Sequence, residues 1–152
     1  MLLRCLLVPL QRSQILVPST CVAEVVPYSA PMRVAEAPPW MLGTLEWRCE
    51  SISAIDLDGV LDGQVGERAT KSRWAIMRGV NGEAGTDHYA VLTRGLPRLV
   101  TLERRMVVPE SVGELPLAAL SQVRIGGQLA YLPALQYIES AIARFPTTAV
   151  AC

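Results

Sequence analysis

The hydrophobic residues of this chain come in short runs, each closed by glycine, proline, asparagine or a group of polar residues. Runs of this length with such boundaries are typical of β-strands. In the first half of the chain the predicted strands cover residues 2–10, 15–18, 40–47 and 51–57. In the second half they cover residues 73–80, 88–94 and 96–102, followed by a closing hairpin of residues 123–125 and 128–132. The pattern predicts a mainly β protein.

Helical patterns are few. The clearest helix is predicted over residues 133–144, because Pro133 suits the first helical position and Pro146 ends the pattern. A short helical turn is predicted over residues 21–25, capped by the hydroxyl of Ser19 or Thr20. Another short helix is predicted over residues 56–61, where it ends before Gly63.

The arrangement of these elements predicts the architecture. A proline-rich connection separates the first strands from the strand of residues 40–47, in which Gly43 marks a bulge or a close backbone approach. With 152 residues the chain has the length of one domain that holds two subdomains around a shared core. Two strand-rich halves and a terminal helix predict two small barrels within a single domain, residues 1–152.

Composition and charge exclude several classes of protein. The chain has 14 basic and 14 acidic residues, a formal net charge of zero, and no basic cluster with interleaved aromatic residues. It therefore shows no electrostatic signature of a nucleic-acid-binding protein. Cys5, Cys21, Cys49 and Cys152 lack the paired spacing of zinc ligands, which favours reduced thiols over a metal site.

The amino-terminal apolar run is interrupted by Arg4, and neither a leading basic region nor a cleavage site accompanies it. This pattern argues against a signal peptide. No apolar run approaches the length of a membrane span. A soluble cytoplasmic protein without membrane insertion is the expectation.

The strongest enzyme-like motif is AIDLDGVLDG at residues 54–63, which resembles the first motif of the haloacid dehalogenase superfamily. In that interpretation Asp56 attacks phosphorus, Asp58 acts as acid and base, and Mg²⁺ neutralises charge between them. The other parts are poorly matched, since Lys71 lies close behind the motif and Asp87 is a weak substitute for the later acidic pair. A solvated acidic turn that caps a short helix is the simpler interpretation.

Two further candidates are weaker. Asp56, Asp58 and Glu67 have the spacing of calcium-loop positions, but Val60 and Leu61 occupy places where a ligand and a turning glycine are required. His88, the one histidine, has no identifiable nucleophile as a partner, so a catalytic role has no support. The residues predict no catalytic group, metal or cofactor.

A single arginine stands out in the same region. From Glu46 to Glu67 the chain has six acidic residues and one basic residue, Arg48. A cation placed beside Trp47 on a strand can pair with an acid across a groove or remain available to a partner as a forked donor. An ordinary surface ion pair, worth about 0–1 kcal/mol, is the alternative. Composition alone leaves both open.

The order of these features resembles the CheW-like adaptor family of bacterial chemotaxis, over nearly the whole chain. The matching segments are ILVP (15–18), VAEVV (22–26), APPWMLGTLEWR (37–48), AIDL (54–57) and HYAVLTRGLPRLVTL (88–102). The resemblance implies two interlocked five-stranded SH3-like barrels about a shared core, with a C-terminal helix. It also implies a non-enzymatic adaptor that bridges chemoreceptor tips to the regulatory domain of a CheA-type histidine kinase.

In the family pattern Glu24 and Arg48 lie on the surface and are associated with partner binding. Val22, Gly43 and Trp47 complete the set of partner-binding residues that the resemblance implies here. On this view DLDG is a strand end and a turn.

The chain also departs from the family pattern. The residues from Glu46 to Cys49 replace Asn-Leu-Arg-Gly, Ser53 replaces a proline, and Thr93 and Arg94 replace a common aspartate. These changes indicate a divergent paralogue of an auxiliary pathway, such as one that controls type IV pili and twitching motility. A Mg²⁺-dependent phosphatase and a β-barrel interaction module unrelated to chemotaxis stay as alternatives.

Overall fold

The computed structural model describes residues 2–67, 69–82, 86–110 and 113–145. Within these ranges the strands are β1 (Leu2–Pro9), β2 (Gln14–Pro18), β3 (Val22–Pro27), β4 (Met41–Trp47), β5 (Glu50–Ile55), β6 (Arg73–Arg78), β7 (His88–Leu92), β8 (Arg98–Glu103), β9 (Val108–Pro109), β10 (Ala119–Ile125) and β11 (Gln128–Pro133). The α-helices are α1 (Leu57–Asp62) and α2 (Leu135–Ala143), and single 3-10 turns cover Ser19–Cys21 and Arg104–Met106.

The strands form two sheets. The six-stranded sheet has the order β8-β1-β2-β11-β10-β9, and the five-stranded sheet has the order β3-β6-β7-β5-β4. Their neighbours pair antiparallel, except for the parallel pairs β2–β11 and β5–β7. The predicted mainly β fold of two SH3-like units with a C-terminal helix is confirmed, with one sheet a strand larger than expected.

The two sheets do not correspond to the two halves of the chain. The five-stranded sheet takes the middle of the chain, from β3 to β7, and the six-stranded sheet takes both ends. This division of the chain is the interlocked arrangement that the family resemblance implied. The parallel pairing of Ile15 with Tyr131 joins the first part of the chain to the last.

Three hydrophobic cores follow from this arrangement. One core belongs to the six-stranded sheet and includes Cys5, Leu16 and Val123. Another belongs to the five-stranded sheet and includes Trp74 and Ile76. The third lies between the sheets, and its members include Val8, Ile15, Ile55, Tyr89, Val91, Ile138 and Ile142. In β1, Leu7 belongs to the core of the six-stranded sheet and Val8 belongs to the core between the sheets, which we call the junction core. This part of β1 is therefore buried on both faces.

Helix α2 packs on the junction core through Ile138 and Ile142. It begins at Leu135, since Pro133 is the last residue of β11 and not the first residue of the helix. Pro133 belongs to the strand because β11 pairs with β10 as far as this residue. Proline has no N–H donor, and the end of a strand tolerates that loss. The predicted stop at Pro146 lies outside the described residues.

The helix predicted over residues 21–25 is wrong. The 3-10 turn ends at Cys21 and β3 follows, without a cap from Ser19 or Thr20. The three valines of β3 are β-branched residues that favour a strand, and pairing with β6 satisfies their backbone. A short strand that was not predicted, β9, covers Val108–Pro109.

The short helix predicted from DLDG is confirmed as α1. The Asp56 side chain accepts a hydrogen bond from the Gly59 amide at 3.3 Å and caps the amino terminus. At the other end Gly63 takes the left-handed conformation, with φ 79°, that commonly ends a helix.

Candidate functional site

The hairpin between β4 and β5 places Arg48 at an exposed tip. Its two turn residues, Arg48 and Cys49, have φ values of 47° and 65°. A two-residue hairpin turn of type I′ needs positive φ at both positions, which usually selects Asn-Gly. This chain forms the turn with two residues that carry Cβ atoms, at a cost of roughly 1 kcal/mol or more each.

Trp47 and Arg48 meet Glu24 of β3. The Trp47 Nε1 group donates a hydrogen bond to Glu24 Oε2 at 2.9 Å, and Arg48 Nη2 donates to the same oxygen at 3.4 Å. Since β3 and β4 are the two edge strands of the five-stranded sheet, these bonds join its opposite edges and close it into a barrel. Arg48 is therefore paired with an acid across the strands, and we call Glu24, Trp47 and Arg48 the edge cluster.

The two charged residues of the edge cluster are exposed to solvent, and Trp47 is half-buried. The Arg48 side chain is 68% exposed and that of Glu24 is 42% exposed, so their ion pair contributes about 0–1 kcal/mol to stability. The Arg48 guanidinium lies over the Trp47 ring, 4.6 Å from its centre, in cation–π geometry. This stacking orients the guanidinium while leaving donors directed to solvent.

His88 of β7 also packs against the Trp47 ring. The two ring centres are 4.7 Å apart, and His88 Nδ1 lies 3.6 Å from Glu50 Oε2. The histidine thus acts as a packing partner that fixes the indole. Sequence reasoning identified it only as a residue without a catalytic partner.

Val22 and Gly43 lie below this surface. Val22 is buried and belongs to the junction core, beside a bulge in the β3–β6 pairing. Gly43 has φ 144°, and a Cβ built there would lie 2.1 Å from the Met32 carbonyl oxygen. The expected close backbone approach is confirmed, because the proline-rich connection bridges to β4 through Met32 and Thr44. A role of Val22 or Gly43 in partner binding stays a prediction.

The aspartates of DLDG are deeply buried, and the solvated acidic turn expected there is wrong. Asp56 is 0% exposed and Asp58 is 2% exposed. Asp56 Oδ2 accepts hydrogen bonds from the Gly66 amide at 3.0 Å and from Arg94 Nη2 at 3.1 Å. Asp58 Oδ2 accepts from the Gln11 amide at 2.9 Å. These carboxylates hold loops together and have no access to a phosphate ester, so the phosphatase interpretation is wrong as well.

The structure also bears on possible metal sites, on the cysteines and on membrane-spanning helices. Within the described ranges, no three His, Cys, Asp or Glu side chains are grouped so that they could hold a metal ion. Cys5 and Cys21 are free thiols, as expected. Cys49 is disulfide-bonded, which contradicts the expected reduced thiol at that position. No helix in the described part of the chain is long and apolar enough to cross a membrane.

The family model of the CheW-like domain matches residues 4–138. The chain belongs to the CheW-like domain family. Members of this family are non-enzymatic scaffolds that couple chemoreceptors to the kinase CheA. In this CheW-like chain, the two sheets, the junction core and the closing helix are the features expected of the family fold.

Solved structures agree on the fold. The scaffolding protein TtCheW from Thermoanaerobacter tengcongensis superposes with a TM-score of 0.73 at 15% sequence identity. The match covers 89% of this CheW-like chain and 86% of TtCheW. A search of curated protein sequences found no significant match.

Sequence reasoning missed Arg94 as the partner of the buried aspartates. The available signal was the departure at Thr93 and Arg94, where the family commonly has an aspartate. In this CheW-like chain Arg94 reaches back to Asp56 and lies 4.0 Å from Asp58. The departure therefore belongs to the interior of the molecule and not to its partner surface.

Proposed function

We propose that this chain is a cytoplasmic adaptor that couples the cytoplasmic tip of a chemoreceptor to the regulatory domain of a CheA-type histidine kinase. The whole chain, residues 1–152, acts as one CheW-like domain in this proposal. The observation that carries it is the edge cluster, in which the exposed Glu24 and Arg48 are held together with the half-buried Trp47 on a barrel of the family fold.

The edge cluster has the chemistry of a docking surface. Trp47 supplies a large amphipathic ring, and Arg48 supplies planar donors beyond the one hydrogen bond it gives to Glu24. Tryptophan and arginine are the residue types enriched at the energetically dominant positions of protein interfaces. We assign the cluster to the rim of the inter-barrel groove, where it contacts an apolar helical hairpin of the receptor. Val22 contributes beneath it.

The kinase regulatory domain binds elsewhere in this proposal, by barrel-to-barrel packing along β4. This strand is an edge of its sheet, and the bridge from Met32 to Thr44 covers only part of it. An edge strand offers unpaired backbone groups to a partner strand. Gly43 keeps that part of the edge flat against the proline-rich connection.

The pathway served is an auxiliary chemosensory system, such as one that controls type IV pili and twitching motility. Support comes from the hairpin turn, where Trp47 and Cys49 stand in place of leucine and glycine of the family pattern. The larger ring and the altered turn reshape the surface that meets the receptor. A different receptor set is the consequence that we propose.

The binding test uses purified receptor tip and kinase regulatory domain, with dissociation constants measured for the unmodified chain and for Arg48→Ala. We expect about a tenfold weaker affinity for one partner, since a lost charge-assisted hydrogen bond at an interface costs about 1.4 kcal/mol or more. The melting temperature should change by no more than a few degrees, because the exposed ion pair adds little stability.

Arg124→Ala is the matched control. Arg124 is also in a surface ion pair, with Glu110, but it lies on the six-stranded sheet. Its loss should leave both affinities unchanged. Retention of neither partner by the unmodified chain would refute the bridging role, and unfolding of Arg48→Ala would make Arg48 a structural residue. For the pathway, deletion of the gene should impair twitching responses and spare swimming chemotaxis.

A further inference from the structure

The interior of the six-stranded barrel is not completely filled. A cavity of about 330 Å³ lies between β1 and β2 on one side and β9 and β10 on the other, with the 3-10 turn of Arg104–Met106 at its edge. Its lining side chains are apolar except for those of Arg104 and Ser121. Ligand pockets span roughly 300–1,000 Å³, so this cavity suits a small ligand. The cavity belongs to the six-stranded sheet, whereas the edge cluster belongs to the five-stranded sheet.

The cavity opens to solvent beside a positive charge. Leu3 in its wall is 38% exposed, and Arg104 is exposed as well. The Arg104 side chain forms no hydrogen bond or ion pair with any residue in the described part of the chain. The neighbouring acids are already paired, Glu103 with Arg105 and Glu110 with Arg124. The mouth of an apolar cavity therefore carries an uncompensated guanidinium.

We propose that this cavity binds an aliphatic monocarboxylate, with the alkyl chain inside the barrel and the carboxylate on Arg104. The apolar walls gain about 0.8 kcal/mol for each methylene they bury, and the guanidinium pairs with the carboxylate. A peptide segment is disfavoured because its backbone donors and acceptors would find no partners among these walls. A cationic amphiphile would be repelled by Arg104.

The free thiol of Cys5 provides a reporter inside the cavity. Cys5 lines the cavity and is 6% exposed, and burial raises the pKa of its thiol. Cys21 is another free thiol among the described residues, and it is not part of the cavity wall. A ligand in the cavity should slow alkylation of Cys5 and leave alkylation of Cys21 unchanged. The two cysteines thus give a signal and an internal control in one protein.

The first experiment measures decanoate binding by titration calorimetry below the micelle concentration, with decanol and decyltrimethylammonium as head-group comparisons. Decanoate should bind at least fivefold more tightly than either comparison. Arg104→Gln should weaken decanoate about fivefold, the amount expected for one partly exposed charge pair of about 1 kcal/mol. Arg98→Gln is the matched control, because Arg98 is an exposed arginine outside the cavity wall whose hydrogen bond goes to Gln128, and it should change the affinity less than twofold.

The second experiment follows alkylation of the two thiols by N-ethylmaleimide, with peptide mass spectrometry as the readout. Saturating decanoate should slow Cys5 modification severalfold, and the Ser121→Phe variant should abolish this protection by filling the cavity. Three results would overturn the proposal: no decanoate binding, equal binding of all three head groups, or binding without Cys5 protection. Protection of Cys5 by the kinase regulatory domain, but not by decanoate, would also overturn it and assign the cavity to a protein side chain.

Discussion

At the scale of single residues, the buried charges around DLDG are the most consequential feature. Within the described residues, Arg94 is the one cation in ion-pair contact with the buried carboxylates Asp56 and Asp58, at 3.1 and 4.0 Å. Two of its nitrogens, Nε and Nη1, are buried without a hydrogen-bond partner in the described part of the chain. The contribution of the guanidinium is therefore mainly its positive charge beside the two carboxylates, because its hydrogen bonding is incomplete.

Replacing Arg94 by alanine should destabilise the protein by about 3–5 kcal/mol, because it leaves two carboxylates buried without a countercharge. Arg12→Ala is the control, since Arg12 pairs with Asp62 at 2.7 Å in an ion pair that is 36% and 42% exposed. That variant should lose much less stability than Arg94→Ala, because solvent screens an exposed ion pair. Urea unfolding measures both changes. A loss below 1 kcal/mol in Arg94→Ala would contradict this dependence of the buried aspartates on the guanidinium.

At the scale of elements, β4 depends on the segment that crosses it. The amides of Met32 and Thr44 donate to each other's carbonyl oxygens at 2.9 and 2.8 Å, next to the bulge at Gly43. The backbone of the connection comes so close that no side chain fits at position 43. The sequence predicted a bulge or a close backbone approach at Gly43, but it did not show that the segment around Met32 makes the approach.

Gly43→Ala should destabilise the protein by about 2–3 kcal/mol, since the new methyl group collides with a backbone carbonyl that cannot move without breaking this bridge. Gly82→Ala is the matched control, because Gly82 also has positive φ, at 68°, but has open space around it. It should cost about 1 kcal/mol of conformational strain alone. Thermal unfolding of the two variants separates the collision from the strain, and equal losses would exclude the collision.

At the scale of the whole molecule, helix α2 fastens the junction between the sheets. The buried Glu139 carboxylate accepts hydrogen bonds from the Val80 and Asn81 amides at 2.8 and 2.9 Å, and from the Tyr89 hydroxyl at 3.1 Å. The last helix is thereby tied to both ends of the loop that joins β6 to β7. Stability of the junction depends on this carboxylate being fully paired.

This contact predicts a loss of stability in alkaline solution. Burial, then the charge of Glu139 and its hydrogen bond, raise the pKa of Tyr89 far above its ordinary value of 10.0. Above pH 10 the unfolded chain loses the Tyr89 proton and the folded chain keeps it, so the free energy of unfolding falls by about 1.4 kcal/mol per pH unit from this group. Below pH 10 the contribution is complete and constant.

Tyr89→Phe should reduce the slope of unfolding free energy against pH between about pH 10 and 11.5 by nearly this amount. Tyr137→Phe is the matched control, because it removes a tyrosine hydroxyl from helix α2 at a position that is 42% exposed. Urea unfolding at a series of pH values gives the comparison. Parallel slopes for all three proteins would mean that Tyr89 ionises as easily when folded as when unfolded.

The sequence by itself determined the local structure and the family. Most strands, the closing hairpin at Gly126–Gly127, the helix after Asp56 and the glycine at position 43 follow from side-chain periodicity and turn chemistry, which act over a few residues. The family match rests on the order of those same segments. The helical turn expected at residues 21–25 failed because strand pairing with β6 outweighed the local capping signal.

Only the tertiary structure decided how charged residues were paired. The sequence singled out Arg48 and the DLDG aspartates correctly as unusual, but it could not place either set. Glu24 meets Trp47 because the five-stranded sheet closes on itself, and Asp56 meets Arg94 because β5 and β7 lie side by side in the sheet. Such pairings depend on the path of the whole chain and on burial, which no local pattern encodes. They show that the aspartates of DLDG, which resemble a catalytic motif, are buried and hold loops together, and that Arg48 belongs to an exposed ion pair.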